Sequence, residues 1–273
     1  MSLSGYIKNK LNNSDQYLRF RYNEKVLTFW KMFRPDAAKA LEKQENFYNR
    51  LLAPIKKNDS AIFDIGANEG FITQTLSRFA DKIVAIEPDP HNIRILQNRF
   101  NNNSKVTVVG KAVSDKSGTE TLYMEQEGNA LHTLNIRWKS LLESGEHAIK
   151  TSFDKSLQVE TTTLSEMIDK FGWPSFIKID TEGYERKVLS GLTSPVPQII
   201  FEAVLPHFLK ETILSIDHLC SIDGNAVFNY SANYDLILPE FLTTIEFKHI
   251  LQQIGSKSID IVCRMSNYNN YYN

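Results

Sequence analysis

The sequence predicts a doubly wound α/β domain, a mostly parallel sheet with helices on both faces, and three observations carry that expectation. Residues Ala61–Ile65 are apolar apart from Asp64, as in a strand buried on both faces. A glycine-bounded turn follows, Gly66-Ala67-Asn68-Glu69-Gly70, after which Ile72, Leu76 and Phe79 recur at helical spacing. A second apolar run, 83–86, ends in Glu87, 21 residues after Gly66. A nucleotide-binding βαβ unit places at that separation the carboxylate that receives ribose hydroxyls. Farther on, the short runs 176–180 and 198–201 sit among helical patterns, the alternation that builds a parallel sheet.

Within the first unit the turn narrows the ligand. Gly66 can take positive φ and, lacking a Cβ, allows a close approach, while the free N–H groups of the helix face the same side. A dinucleotide fingerprint needs a third glycine so that the helix can meet a pyrophosphate. Here Asn68 and Glu69 occupy the loop, and Asp64 precedes it. Such a phosphate-averse turn suits a ligand with positive charge and an amino group; S-adenosylmethionine has both. An ordinary βα turn with a chance acid is the alternative, and context decides.

That context resembles a family. Asp64-Ile-Gly-Ala-Asn-Glu-Gly70, Glu87-Pro-Asp89, Ala112-Val-Ser-Asp115 and Ile177-Lys-Ile-Asp-Thr-Glu-Gly183 look like the successive motifs of FkbM-type methyltransferases, in order between about residues 47 and 204. The resemblance implies a class I methyltransferase fold, a Rossmann-like, mostly parallel seven-stranded sheet whose last strand inserts antiparallel. It also implies O-methyl transfer from S-adenosylmethionine, leaving S-adenosylhomocysteine, to a hydroxyl of a saccharide or another small molecule. Asp64, Gly66, Ala67, Asn68, Gly70, Glu87 and Pro88 are expected around that cofactor, with Ser114 and Asp115 at the adenine edge. The chain departs from the family's pattern at His132, where a serine-rich segment is usual.

Composition excludes several classes. The 273 residues suffice for one α/β domain, and a net charge of −1 gives no field for drawing in nucleic acid. Cys220 and Cys263 are too few for a disulfide framework, no run is long and apolar enough to span a bilayer, and the start lacks a signal-peptide core. A reduced, cytoplasmic enzyme is the expectation. Residues 1–55 read as a helical extension, 56–265 as the S-adenosylmethionine-dependent domain and 266–273 as a frayed tail.

Seven basic side chains and several aromatics fill residues 1–34. They could contact substrate, a membrane surface or a second copy, giving a homo-oligomer, or simply pack on the domain. Pro35 opens a helix through Leu52. Asp89 reads as a helix N-cap before Pro90. Strands are expected over 105–113, 119–124 and 157–162, with Thr163 and Glu166 as a capping box. Residues 125–156 read as one long functional loop.

The strand 176–180 carries Lys178 and Asp180 on one face, a costly arrangement unless they are paired or face a wet cleft. Asp180 ends the strand, where open α/β sheets bind ligands. It is the first candidate to orient or deprotonate the acceptor hydroxyl; Glu182, Glu202 and His132 are alternates. A divalent metal on these acids could lower the hydroxyl pKa instead. Lys178 is expected to pair with Glu202. Beyond residue 204, helices follow Pro206 and span 241–254, and strands span 226–238 and 258–263. A nicotinamide-dependent oxidoreductase and an inactive nucleoside-binding module remain the rivals.

Overall fold

The structure is a computed structural model that describes residues 35–52, 60–125, 131–146 and 149–266. The expectations for residues 1–34 and 267–273 (arm, copy-to-copy contact and tail) lie outside the described residues. Helix α1 (Pro35–Leu52) leads to β1 (Ala61–Ile65), α2 (Phe71–Leu76), β2 (Lys82–Ile86), α3 (Pro90–Arg99) and β3 (Val106–Val109). Next come β4 (Ala112–Val113), β5 (Gly118–Met124), α4 (Ile136–Ser144), β6 (Lys155–Thr162), α5 (Leu164–Phe171) and β7 (Pro174–Ile179). The chain continues through α6 (Glu185–Ser190), β8 (Gln198–Leu205), α7 (Leu209–Ile222), β9 (Val227–Ala232) and β10 (Asp235–Leu236). It closes with β11 (Leu242–Thr243), α8 (Thr244–Gln253) and β12 (Lys257–Arg264).

The main sheet runs β9-β12-β8-β7-β1-β2-β3, and β12 is antiparallel to both of its neighbours. These are the expected seven strands, mostly parallel with one reversed; β10 and β11 add two short pairings to β9. Successive residues of a strand face opposite helix layers. One face buries Phe63, Ile86, Ile177 and Phe201 against Leu164, Val188, Ile216 and Phe247. The other buries Ile62, Phe176, Ile200 and Val262 against Phe47, Tyr48, Leu51 and Leu52 of α1. Each such side chain is worth about 1.5–3 kcal/mol of transfer free energy, so α1 belongs energetically to this core.

Strand order reverses between β1 and β7: the chain goes outward to β2 and β3, then returns to the other side of β1. The crevice beyond the carboxyl ends of β1, β2 and β7 is therefore the place for a ligand.

Three expectations change. The strand 105–113 is two strands, because Val109 already pairs with Ile86, the last residue of β2, and the ladder has no further partner. Ala112–Val113 instead joins a second, three-stranded sheet of order β4-β6-β5. The long loop 125–156 contains α4, capped by the Asn135 side chain on the Arg137 N–H, with Trp138 and Leu142 buried against Phe153, Val204 and Phe208. The strand 226–238 is a hairpin: Asn233 and Tyr234 take φ of 51° and 64°, the two-residue turn with both central residues left-handed. The Thr163–Glu166 capping box and the Asp89 cap are present as expected.

Candidate active site

Gly66 leaves β1 with φ 75°, and its amide and that of Ala67 both donate to the Ile86 carbonyl, at 2.9 and 3.1 Å. Gly70 donates to the Ala67 carbonyl, and the Asn68 N–H donates to Glu87 Oε2 at 2.9 Å. Four amides that could have cradled a phosphate are thus already used. A Cβ on Gly66 would lie 1.8 Å from the Asp180 carbonyl oxygen, so this glycine exists for the neighbouring strand's backbone rather than for ligand space. At Gly70, φ 79°, a Cβ would meet Leu96 of α3 and Phe100 just beyond it, both at 2.7 Å; that residue is a packing position outside the cavity.

Glu87 is buried, and its second oxygen accepts the Asp89 N–H at 2.9 Å. A carboxylate has about four acceptor sites, so one bond per oxygen leaves room for two ribose hydroxyls. Burial raises the Glu87 pKa to about 7, partly offset by those two amides. Asp89 caps α3 through Oδ1, and its Oδ2 lies 3.3 Å from His132 Nδ1. His132 therefore sits on the β2 side of the site, beside the ribose-type acid.

On the β7 side, Lys178 is buried and its ammonium lies 3.3 Å from Asp180 Oδ2, 3.6 Å from Asp64 Oδ1 and 3.4 Å from the Gly66 carbonyl. Burial pulls its pKa down, but Asp180 and Asp64 outweigh burial and hold it above the ordinary lysine value. The expected pair with Glu202 is not formed: parallel register sets Lys178 opposite Ile200, and Glu202 accepts from Ser258 Oγ at 2.5 Å. Asp64 is fully buried under the turn, where Oδ2 takes the Thr73 hydroxyl at 2.6 Å.

Glu202 of β8 lies directly opposite Asp260 of β12, and Asp180, the residue after β7, brings a carboxylate oxygen within 4.8 Å of one on Glu202. Crowding of like charge adds to burial there. The pKa of Glu202 rises to about 8 and that of Asp260 to about 7, and Glu182 is raised by burial and then by Glu202, Asp180 and Glu185. One oxygen each from Asp180, Glu182 and Glu202 lies within 4.8 Å of the others, a spacing that could take a cation.

A single cavity of about 430 Å³ joins the two sides. Glu87, Pro88 and His132 line it beyond β2, Asp180 and Glu182 beyond β7, with Gly66, Ala67 and Asn68 between them. Ser114 and Asp115 do not line it. Ser114 donates to Glu120 at 2.6 Å and Asp115 pairs with Lys187 at 2.5 Å; the neighbouring Lys111, Ala112 and Val113 form the wall instead. Glu202 stands outside that wall as well, on a smaller cavity.

Sequence reasoning missed Asp260, Tyr184 and Thr133. Asp260 bears the same signal as Asp180, an acid inside an apolar strand, and could have been found. Tyr184 lines the cavity and is hydrogen-bonded to Glu120. Thr133, fully buried, lies in a stretch without periodicity.

A hexuronic acid methyltransferase of Haloferax volcanii, AglP, is 24% identical over 161 residues, covering 58% of this chain. The chain spans 60% of that relative's length. Among solved structures, an FkbM methyltransferase from Methylobacillus flagellatus KT is 20% identical with a TM-score of 0.44, covering 65% of this chain and 42% of the other. A precorrin-6y C5,15-methyltransferase from Geobacter metallireducens GS-15 is 13% identical with a TM-score of 0.41, covering 84% and 86%. The model of the FkbM methyltransferase domain matches residues 64–230, from the buried acid of β1 into β9 and across more than half of the chain, which therefore belongs to the FkbM methyltransferase family.

Proposed function

We propose that the protein is an O-methyltransferase that moves the methyl group of S-adenosylmethionine to a hydroxyl of a saccharide or similar small molecule. The observation that carries this is the single cavity joining Glu87 on one side to Asp180 and Glu182 on the other. Family membership and the saccharide-acting relative support the reading. When bound, S-adenosylmethionine supplies an electrophilic methyl on a sulfonium. Its ribose fits Glu87, and a sulfonium and ammonium suit walls rich in carboxylates. NAD fits less well, because the amides of Gly66, Ala67, Asn68 and Gly70 already have acceptors.

Asp180 orients the acceptor hydroxyl and takes its proton as the oxygen gains its new bond; alignment supplies the larger share of the rate. Glu182 stands beside it as the alternate base. A cation between Asp180, Glu182 and Glu202 is the second route, favoured by their mutual spacing. Calorimetric titration with S-adenosylmethionine, S-adenosylhomocysteine and NAD tests the cofactor, and S-adenosylhomocysteine release with a panel of methyl hexopyranosides tests the transfer. Binding of NAD alone would refute the reading. Tight cofactor binding without transfer to any acceptor would point to an inactive module.

A further inference from the structure

The loop that follows β7 is held in a conformation that its own residues do not favour. Glu182 has φ 54° and Gly183 φ 82°, two successive left-handed residues, and the first carries a Cβ. Thr181 is fixed from within, since its N–H and hydroxyl both donate to Glu185 Oε1 at 2.9 and 3.0 Å. The next two carbonyls are received from elsewhere in the chain. Thr133 Oγ1 donates to the Glu182 carbonyl at 2.7 Å, and Asn135 Nδ2 donates to the Gly183 carbonyl at 2.5 Å.

These two donors are themselves well fixed. Thr133 forms an isolated bridge with Tyr123 of β5, and its hydroxyl also accepts the Asn135 N–H at 2.9 Å. Asn135 caps α4 through Oδ1, so one side chain starts a helix and clamps a loop. Behind the loop, a Cβ on Gly183 would lie 3.1 Å from Trp138 Cβ, so α4 packs closely against this turn. One residue earlier, His132 meets Asp89 next to Glu87. Residues 131–135 thus form a strap from the β2 side of the cavity to the β7 side.

We infer that Thr133 and Asn135 are positioning residues, which hold the left-handed Glu182–Gly183 pair so that the carboxylates of Asp180 and Glu182 face the cavity. The inference rests on the proposed reading of that side as the acceptor end. Neither residue touches the reacting atoms; each acts through a backbone carbonyl. The strap is anchored in the second sheet and α4, so it fixes the loop independently of the β7 hydrogen bonds.

The test uses the full chain and three substitutions. Thr133→Val keeps shape and loses the hydroxyl. Asn135→Asp keeps the helix-cap oxygen and loses the amide donor. Thr133→Ser restores the hydroxyl. Amide hydrogen exchange should quicken about tenfold or more over residues 181–184 in the first two variants, the factor expected for one lost hydrogen bond, and stay near wild type over β1 and β7. Turnover with a methyl hexopyranoside acceptor should fall about threefold or more in both while affinity for S-adenosylhomocysteine stays within about twofold, and Thr133→Ser should return exchange and turnover towards wild type. Unchanged loop exchange, equal quickening throughout the sheet, turnover within about twofold of wild type, or a serine variant that behaves like valine would each overturn the assignment. If the wild type bound no S-adenosylhomocysteine while the loop responded as described, the methyl-transfer reading would fall and the strap would stand.

Discussion

Replacing Gly66 with alanine is the sharpest structural test of the site. The added Cβ would stand 1.8 Å from the Asp180 carbonyl oxygen, against a floor near 3.0 Å for real contacts, so one backbone must move by more than an ångström. Neither is easily moved. Gly66 and Ala67 are pinned to Ile86, and the Asp180 amide donates to the Ile65 carbonyl at 3.1 Å. A left-handed residue with a Cβ costs about 1–2 kcal/mol, a forced overpacking about 1–3 and a broken backbone hydrogen bond about 1. The sum is about 3–6 kcal/mol. At roughly 2–4 °C per kcal/mol for a domain of this size, melting should drop by about 6–24 °C. Thermal unfolding followed by circular dichroism measures it, with S-adenosylmethionine calorimetry on whatever remains folded. A Gly66→Ala protein melting within about 2 °C of wild type would refute the reasoning, whatever its activity.

Other outcomes follow from the same geometry. Glu87→Gln should weaken S-adenosylmethionine binding by roughly 1–3 kcal/mol, the worth of charge-assisted hydrogen bonds to the ribose; unchanged calorimetric affinity would remove Glu87 from the cofactor site. Asp180→Asn should cut turnover by about 10²–10⁴-fold with little change in cofactor affinity, and normal turnover would shift the role to Glu182. If a cation works with Asp180, chelator treatment of the wild type should abolish turnover and added divalent ion restore it; indifference to chelator would exclude that route. Glu202, Asp260, Glu87 and Glu185 hold protons in the folded state up to about pH 7–8, which the unfolded chain releases near pH 4. The folded state therefore binds more protons in that window, and its stability is greatest at the acid end and falls as pH rises through 7–8. Melting of the ligand-free protein should decline from pH 5 to 8 and decline less in Asp260→Asn, whereas a flat profile would show these acids to be solvated.

The βαβ unit was legible because its signals are local. A run buried on both faces must be apolar throughout, a turn into a helix needs glycine, and one crossover brings the chain to Glu87. For the same reason Asp180 stood out, a charge at the end of a strand that ought to be apolar. Partners across the sheet are a different matter, because they depend on strand order and register. Lys178 faces Asp64 because β7 returns beside β1, and misses Glu202 because register puts Ile200 opposite it. The need for glycine at position 66 was readable, but its cause, the Asp180 carbonyl 114 residues away, was not. Ser114 and Asp115 left the cavity when the chain broke from β3 into the second sheet, a turn set by where β2 ends. Periodicity reports how each segment meets the core; only the folded sheet decides which segments meet each other, and so which polar atoms share one cavity.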